Sequence, residues 1–291
     1  MLATATSGVG FGNWSLDPPL VLCADLAVLY WLGSRRTVTP QRKRHAQRWR
    51  DTAFYGALIV LVLALSSPLD ALSEQLFWAH MLQHVLVMLV AAPLLVLSRP
   101  WIRLWRSLPL AARRWLGRGL SHGRRTAPLR TLSAFVARPG ASLALFSIVL
   151  LGWHLPSMFD ATLSSGVMHG LEHALFFSTA VLFFKQVIPS PPLHLSLAAP
   201  QRVIYAIAAM IVSWVLAVVL ALSPHALYAH YAHEASRPGG ISALADQQLA
   251  AGIMWVPGSI TFLIVVFVYV HRWLAPTEPG STRSPRLASE H

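Results

Sequence analysis

The chain has 291 residues, of which 55% are hydrophobic and only 12% are charged, with a net charge of +12. Soluble globular domains carry about 25% charged residues, so this composition excludes a soluble protein and indicates a membrane protein. The single cysteine, Cys23, excludes a disulfide framework and a cysteine-based zinc site.

Seven apolar runs long enough to cross a bilayer follow one another along the chain. Connections containing Pro and Gly, such as the one at 138–140, separate them. We therefore predict an all-α fold: one polytopic domain over residues 15–275, with seven transmembrane helices, and a disordered cytoplasmic tail at 276–291. The predicted spans are 18–33, 51–67, 74–97, 139–155, 166–188, 201–222 and 247–271.

The basic residues are distributed unevenly between the segments that connect these spans. Of the 23 Lys and Arg residues, 22 fall in segments that share one side of the membrane, and Arg237 falls on the other. The positive-inside rule then predicts an N-terminus outside and a C-terminus in the cytoplasm. We expect a multi-pass protein of the cell membrane.

The longest basic segment, 99–138, also has apolar residues at helical spacing: Trp101, Leu104, Trp105 and Leu108. This pattern favours a helix that lies on anionic headgroups. Nucleic-acid binding is the alternative, but the segment has no recognisable nucleic-acid motif. We therefore predict anionic lipids as a partner and no nucleic acid. The predicted membrane-surface contacts are Arg103, Arg106, Arg113 and Arg114.

Two His-x-x-x-His pairs, His80/His84 and His169/His173, lie inside predicted spans. Ionisable residues within a membrane are costly and usually functional, and residues four apart share one helix face. In the predicted orientation both pairs and His154 lie towards the outer side. Imidazole suits copper, zinc and iron, so we predict these five histidines as metal ligands. Structural polar packing is the alternative.

Other polar residues near these pairs are expected to support the metal or to deliver it. Asp246 heads the last span, where it serves either as a helix cap or as a support for a ligand. The histidines of the last outer connection suit a metal-capturing loop and an ordinary solvated loop equally well. The predicted supporting and metal-entry residues are Asp246, Glu172, Gln83, Met168, His230 and His233.

Several motifs in register resemble the CtaG family of membrane proteins, which is linked to assembly of caa-type cytochrome c oxidase. The matching motifs lie at 80–84, 91–95, 153–156, 169–173, 246–249 and 254–258. The resemblance covers residues 15–275. It implies a seven-helix protein that helps to build the oxidase by handling copper for its Cu(B) centre. Cytochrome c oxidase subunit I or other assembly factors are the partners that it implies.

Three functions compete for the histidines. The first is a copper metallochaperone without enzymatic activity, which we predict. The second is a haem-binding redox protein with histidines of facing helices on the iron. The third is a zinc metallopeptidase, because residues 169–173 match the H-x-x-E-H pattern of inverted zincins. Residues 80–84 have the same histidine spacing but carry Gln83, not Glu, one residue before the second His, and the general base expected from H-E-x-x-H is absent there.

Overall fold

The protein is described by a computed structural model that covers residues 17–37, 39–193, 195–234 and 237–275, with the side chain of His122 left out. Within these ranges the chain forms helices and turns and no β-strand, which confirms the predicted all-α class. The predicted tail at 276–291 lies outside the described residues. The helices are α1 Pro18–Arg35, α2 Arg44–Leu65, α3 Pro68–Ser73, α4 Phe77–Val85, α5 Ala92–Ser98, α6 Trp101–Ser107, α7 Leu110–His122, α8 Ala127–Val136, α9 Pro139–Trp153, α10 Pro156–Ser164, α11 Gly166–Val187, α12 Ala199–Leu222, α13 Ala229–His233 and α14 Ala243–Leu274.

Four helical runs in the described ranges are long and apolar enough to cross a membrane: Phe77–Ser98, α11, α12 and α14. Helices α8 and α9, bent by 81° against each other, make a fifth if they form one span. Helices α1 and α2, which overlap the first two predicted spans, are not among them; α1 ends at Arg35, and α2 begins at Arg44. The protein is thus a polytopic helical membrane bundle, while the count of seven and the orientation stay predictions.

The run Phe77–Ser98 is the most buried of these spans, and it packs against α2, α11 and α14. Around it, aromatic side chains such as Phe146, Phe183 and Phe262 form the interior of the bundle. Large apolar side chains on the outer faces remain exposed, including Ile204 at 69% and Phe267 at 70%. Such faces suit contact with lipid, whose tails are as apolar as these side chains.

The run Phe77–Ser98 contains a π-helical segment, Leu86–Ala91, between α4 and α5. Pro93 has no backbone N–H, so it cannot donate to the carbonyl of Leu89 four residues earlier. The hydroxyl of Thr261 in α14 donates to that carbonyl at 2.6 Å. The irregular backbone is therefore satisfied by a neighbouring helix, as a membrane environment requires. Helix α4 ends just before this segment, one residue after His84.

The basic segment forms three helices, and the first of them, α6, packs on α1. Gly33 permits this close approach, because a Cβ atom there would lie 1.9 Å from the carbonyl oxygen of Arg103. Arg103 is buried and forms an ion pair with Asp51 of α2. Asp51 also accepts a hydrogen bond from the Tyr30 hydroxyl at 2.8 Å. These contacts join α1, α2 and α6.

This placement corrects the prediction that Arg103 contacts the membrane surface, because its guanidinium is paired inside the protein. Arg106 and Arg114 are exposed, and Arg113 is half-buried. Large apolar side chains stand beside them, including Trp115, which is 71% exposed. For these three arginines, contact with anionic headgroups stays a prediction.

Candidate metal centre

Helices α4 and α11 face each other and bring the two His-x-x-x-His pairs together. The ring centroids of His80 and His169 lie 5.2 Å apart, and those of His84 and His173 lie 5.4 Å apart. Within each pair the rings are 4.5 Å apart on α4 and 4.4 Å apart on α11. The one-turn spacing of each pair thus aims four imidazoles at one interhelical space.

Glu172 lies between the two pairs and is fully buried. Its Oε2 atom is 3.5 Å from Nε2 of His80, and its Oε1 atom is 3.7 Å from Nε2 of His84. One donor atom from each of His80, His84, Glu172 and His173 lies within 4.8 Å of the other three. We call these four residues the His/Glu centre. We predicted this carboxylate as a supporting group, and its oxygens lie close enough to the imidazole nitrogens to make it a candidate ligand as well.

The donor spacing fits a metal ion. In a tetrahedral site with bonds of about 2.0–2.1 Å, the donor atoms lie roughly 3.4 Å apart. The two measured distances from Glu172 to His80 and His84, 3.5 and 3.7 Å, are already close to that separation. The donor atoms that lie farthest apart are within 4.8 Å of each other. Each of them would have to move inward by less than about 1 Å to reach the tetrahedral separation. Three imidazole nitrogens and one carboxylate oxygen suit Cu(II) or Zn(II).

Buried donor atoms without a hydrogen-bond partner in the protein converge here. They are Nε2 of His80, both ring nitrogens of His84, Nε2 of His169, both oxygens of Glu172 and Nε2 of His173. A buried polar atom left unpaired costs about 1–3 kcal/mol. A metal cation satisfies the lone pairs of several imidazoles and a carboxylate at once. The donor set therefore matches a cation site better than it matches simple polar packing.

Tyr231 of α13 fixes the orientation of His80. The Tyr231 hydroxyl donates to the carbonyl of Ser73, and its oxygen lies 3.2 Å from Nδ1 of His80. Burial keeps the pKa of Tyr231 well above its usual value, so the hydroxyl retains its proton. Because that one proton goes to Ser73, Nδ1 of His80 is the donor in the second bond. Nε2 then keeps its lone pair and faces Glu172, as in the outer shell of many metal sites.

His154 is close to this group but does not join it. Its ring centroid lies 5.9 Å from that of His84. Its Nδ1 atom donates to the carbonyl of Leu150 at 2.7 Å, and its Nε2 atom faces the Sδ atom of Met81 at 3.3 Å. His154 therefore adjoins the His/Glu centre through His84, with Met81 as its nearest side-chain partner.

Asp246 and Gln83 hold helix α4 in place and are not members of the His/Glu centre. The carboxylate of Asp246 accepts hydrogen bonds from the backbone N–H groups of Phe77 and Trp78, at 2.8 and 2.9 Å. Asp246, which lies in α14, thus caps α4. The N-terminus of α14 is capped by Ser242. Gln83 donates to Asp70 at 2.8 Å, and burial raises the pKa of that carboxyl. Both residues support the centre by positioning α4.

Of the remaining residues that we predicted to support or deliver the metal, two histidines lie at the surface and Met168 lies against the core. His230 and His233 are exposed and line an open groove with Asp160 and Glu234. The ring of His230 donates to the carbonyl of Glu74 at 3.1 Å. Met168 is half-buried and packs against the hydrophobic core. The groove adjoins the centre through Tyr231, which neighbours His230 in the chain.

The sequence alone missed Tyr231 and also Tyr228, whose hydroxyl donates to the carbonyl of His154 at 3.0 Å. Both residues lie in the connection between α12 and α14, more than 70 positions from their partners. Their three-residue spacing beside two histidines was a visible signal for a structured connection. It did not identify the partners, because those contacts depend on how distant helices pack.

Comparison with known proteins agrees with this architecture. Residues 28–275 match the family of cytochrome c oxidase caa3 assembly factors (Caa3_CtaG). Two similar curated proteins are uncharacterized protein Mb0105 of Mycobacterium bovis and uncharacterized protein MT0111 of Mycobacterium tuberculosis. Each is 24% identical over 256 residues, which cover 84% of this chain and 38% of the relative, so the chain spans well under half of their length. No solved structure matches the chain. Because the family match covers most of its residues, the chain belongs to the cytochrome c oxidase caa3 assembly factor family.

Proposed function

We propose that this protein binds copper at the His/Glu centre and passes it to the Cu(B) site of the oxidase during assembly. The observation that carries the proposal is the convergence of buried, unpartnered imidazole and carboxylate atoms between α4 and α11. Membership of an oxidase assembly family supplies the process in which such a site would act. Copper is the cargo in this proposal, and oxidase subunit I or another assembly factor receives it.

The proposed orientation places the centre towards the outside of the cell membrane. The basic helices α6 to α8 lie on the cytoplasmic side in this arrangement, as the positive-inside rule requires. Acidic residues at the other end, including Asp160 and Glu74, then face the side from which the cation would arrive. A negative surface raises the local concentration of a cation and speeds its association.

A non-enzymatic role fits the position of Glu172 better than peptide hydrolysis does. Both oxygens of Glu172 face imidazoles across the helix interface, and the residue is 0% exposed. A metallopeptidase needs a general base with access to water and to a peptide carbonyl. The same carboxylate occupies the space between the histidines of α4 and α11, where a porphyrin plane would have to lie. These contacts favour an ion over haem.

Metal binding and oxidase assembly test the proposal together. We expect purified full-length protein to bind one Cu(II) or Zn(II) per chain, and the double variant His84→Gln/His173→Gln to lose that ion. His225→Gln is the matched control, because His225 is exposed and lies outside the centre. In cells that lack the protein, the control should restore the copper content and activity of the oxidase, whereas the double variant should not. Full oxidase assembly with the double variant would overturn the proposal.

A further inference from the structure

A second group of metal-binding side chains lies beside the His/Glu centre. A small cavity of about 30 Å³ is lined by three methionines, Met81, Met88 and Met254, together with His84 and His154. All five are buried, at 8% exposure or less. The rest of the lining is mainly apolar, and it contains no carboxylate. The cavity thus gathers thioether sulfurs and imidazoles in a neutral setting.

The contact between Met81 and His154 shows that two lone pairs meet here. Nδ1 of His154 donates its proton to the Leu150 carbonyl, so Nε2 of the neutral ring is an acceptor. The Met81 sulfur is also only an acceptor. These two atoms face each other at 3.3 Å with no donor between them. Either a proton on Nε2 or a bound cation resolves this contact, and the proton would place a positive ring in an apolar site.

The distance suits a shared ion. With the bond lengths of zinc sites, about 2.0 Å to nitrogen and about 2.3 Å to sulfur, one ion can bridge two atoms 3.3 Å apart at an angle of roughly 100°. Met88 and Met254 line the same cavity, and their side chains can offer two more sulfurs. Soft thioether ligands select Cu(I) among the biological metals. A site without a carboxylate also favours a single positive charge over two, because each buried charge is costly.

We propose that Met81, Met88, Met254 and His154 form a second metal site that takes a soft monovalent cation, Cu(I) or its analogue Ag(I). The site is distinct from the His/Glu centre, whose carboxylate suits a divalent ion. His84 borders both, since its Nε2 atom faces Glu172 and its ring lines the cavity. The protein would thus sort cations by charge and softness in adjacent sites. The proposal includes no redox step, and it does not depend on copper delivery to an oxidase.

Silver and zinc titrations of the purified full-length protein test this site. We expect protein that is saturated with Zn(II) to bind one further Ag(I), with Ag–S scattering in its X-ray absorption spectrum. The variant Met88→Leu/Met254→Leu should weaken Ag(I) binding at least tenfold and leave Zn(II) binding unchanged. Leucine nearly conserves the volume of methionine, so the fold should persist. Met158→Leu is the matched control, because Met158 is 48% exposed and lies outside the cavity.

The remaining variant separates this site from the proposed function. Glu172→Gln should lose Zn(II) and retain Ag(I), because the carboxylate is absent from the methionine cavity. A wild-type protein that binds Ag(I) but does not bind Zn(II) would contradict the copper-delivery proposal and leave the methionine site standing. Ag(I) binding that is equal in the wild type and in Met88→Leu/Met254→Leu, or a spectrum without sulfur, would overturn the methionine site. Cu(I) supplied under anaerobic conditions should follow Ag(I) in each case.

Discussion

The substitution Glu172→Gln isolates the charge of the His/Glu centre from its shape. Gln has nearly the same size as Glu, but it replaces one carboxylate oxygen with an NH₂ group and removes the negative charge. In the wild type, the two oxygens of Glu172 lie 3.5 and 3.7 Å from imidazole nitrogens of His80 and His84. Among the described residues of the centre, Glu172 is the only acid. The variant should therefore keep the fold and lose the ion.

The expected size of the effect follows from linkage between binding and stability. We expect the loss of an anionic ligand to weaken divalent-ion binding at least 100-fold, or by about 2.7 kcal/mol. At a metal concentration of 100 times the wild-type Kd, binding stabilises the wild type by about 2.7 kcal/mol. The same concentration equals the Kd of the variant and stabilises it by only about 0.4 kcal/mol. With a chelator present, the variant should be at least as stable as the wild type, because it buries no uncompensated charge.

Thermal unfolding of the purified full-length protein in detergent measures this difference. Each protein is heated with a chelator and again with Zn(II) or Cu(II), and the metal-induced shift of Tm is compared. Glu74→Gln is the matched control, since Glu74 is an exposed acid at the same end of the bundle. It should show the full shift of the wild type. An equal metal-induced shift in Glu172→Gln and the wild type would refute the assignment of Glu172 as a ligand.

Three further substitutions test the supporting contacts. Tyr231→Phe removes the acceptor for Nδ1 of His80 and should weaken Zn(II) binding about 10–100-fold by calorimetry; unchanged affinity would contradict the orienting role. Asp246→Ala removes the cap of α4 and should lower the free energy of unfolding by about 1–2 kcal/mol in a denaturant titration; no loss would show that the cap is dispensable. Gly33→Ala places a Cβ atom 1.9 Å from the carbonyl oxygen of Arg103 and should destabilise the protein by about 1–3 kcal/mol. Gly152→Ala, which has open space around its Cβ position, should be nearly neutral in the same measurement.

Most of the helices could be predicted because their signals are local. The predicted span 166–188 corresponds to α11, Gly166–Val187, which begins after Ser165 caps its first turn. A long apolar run that begins after a polar cap and ends at a Pro-rich stretch predicts the position of a helix from one segment of the sequence. The π-helical segment was not predictable in this way. Its freed carbonyl at Leu89 is satisfied by Thr261, a residue 172 positions away.

The candidate site shows the same division between local and distant contacts. The spacing within each histidine pair predicted that two imidazoles share a helix face, and both pairs do meet between α4 and α11. The sequence could not rank the other polar residues, because their roles depend on distances between helices. The structure thus places Glu172, predicted as a support, among the candidate ligands, while His154 lies beside the group and contacts Met81.

The polar residues around α4 explain how two histidines are held in fixed positions inside an apolar bundle. Asp246 of α14 binds the first backbone amides of this helix, and Gln83 ties its middle to Asp70 and to the carbonyl of Ala64. Thr261 of the same α14 holds the π-helical segment that follows. The helix is thus fixed before and after His80 and His84 by bonds that involve no ion. Because the candidate ligands are held in place in advance, binding of an ion between them would spend less free energy on ordering them.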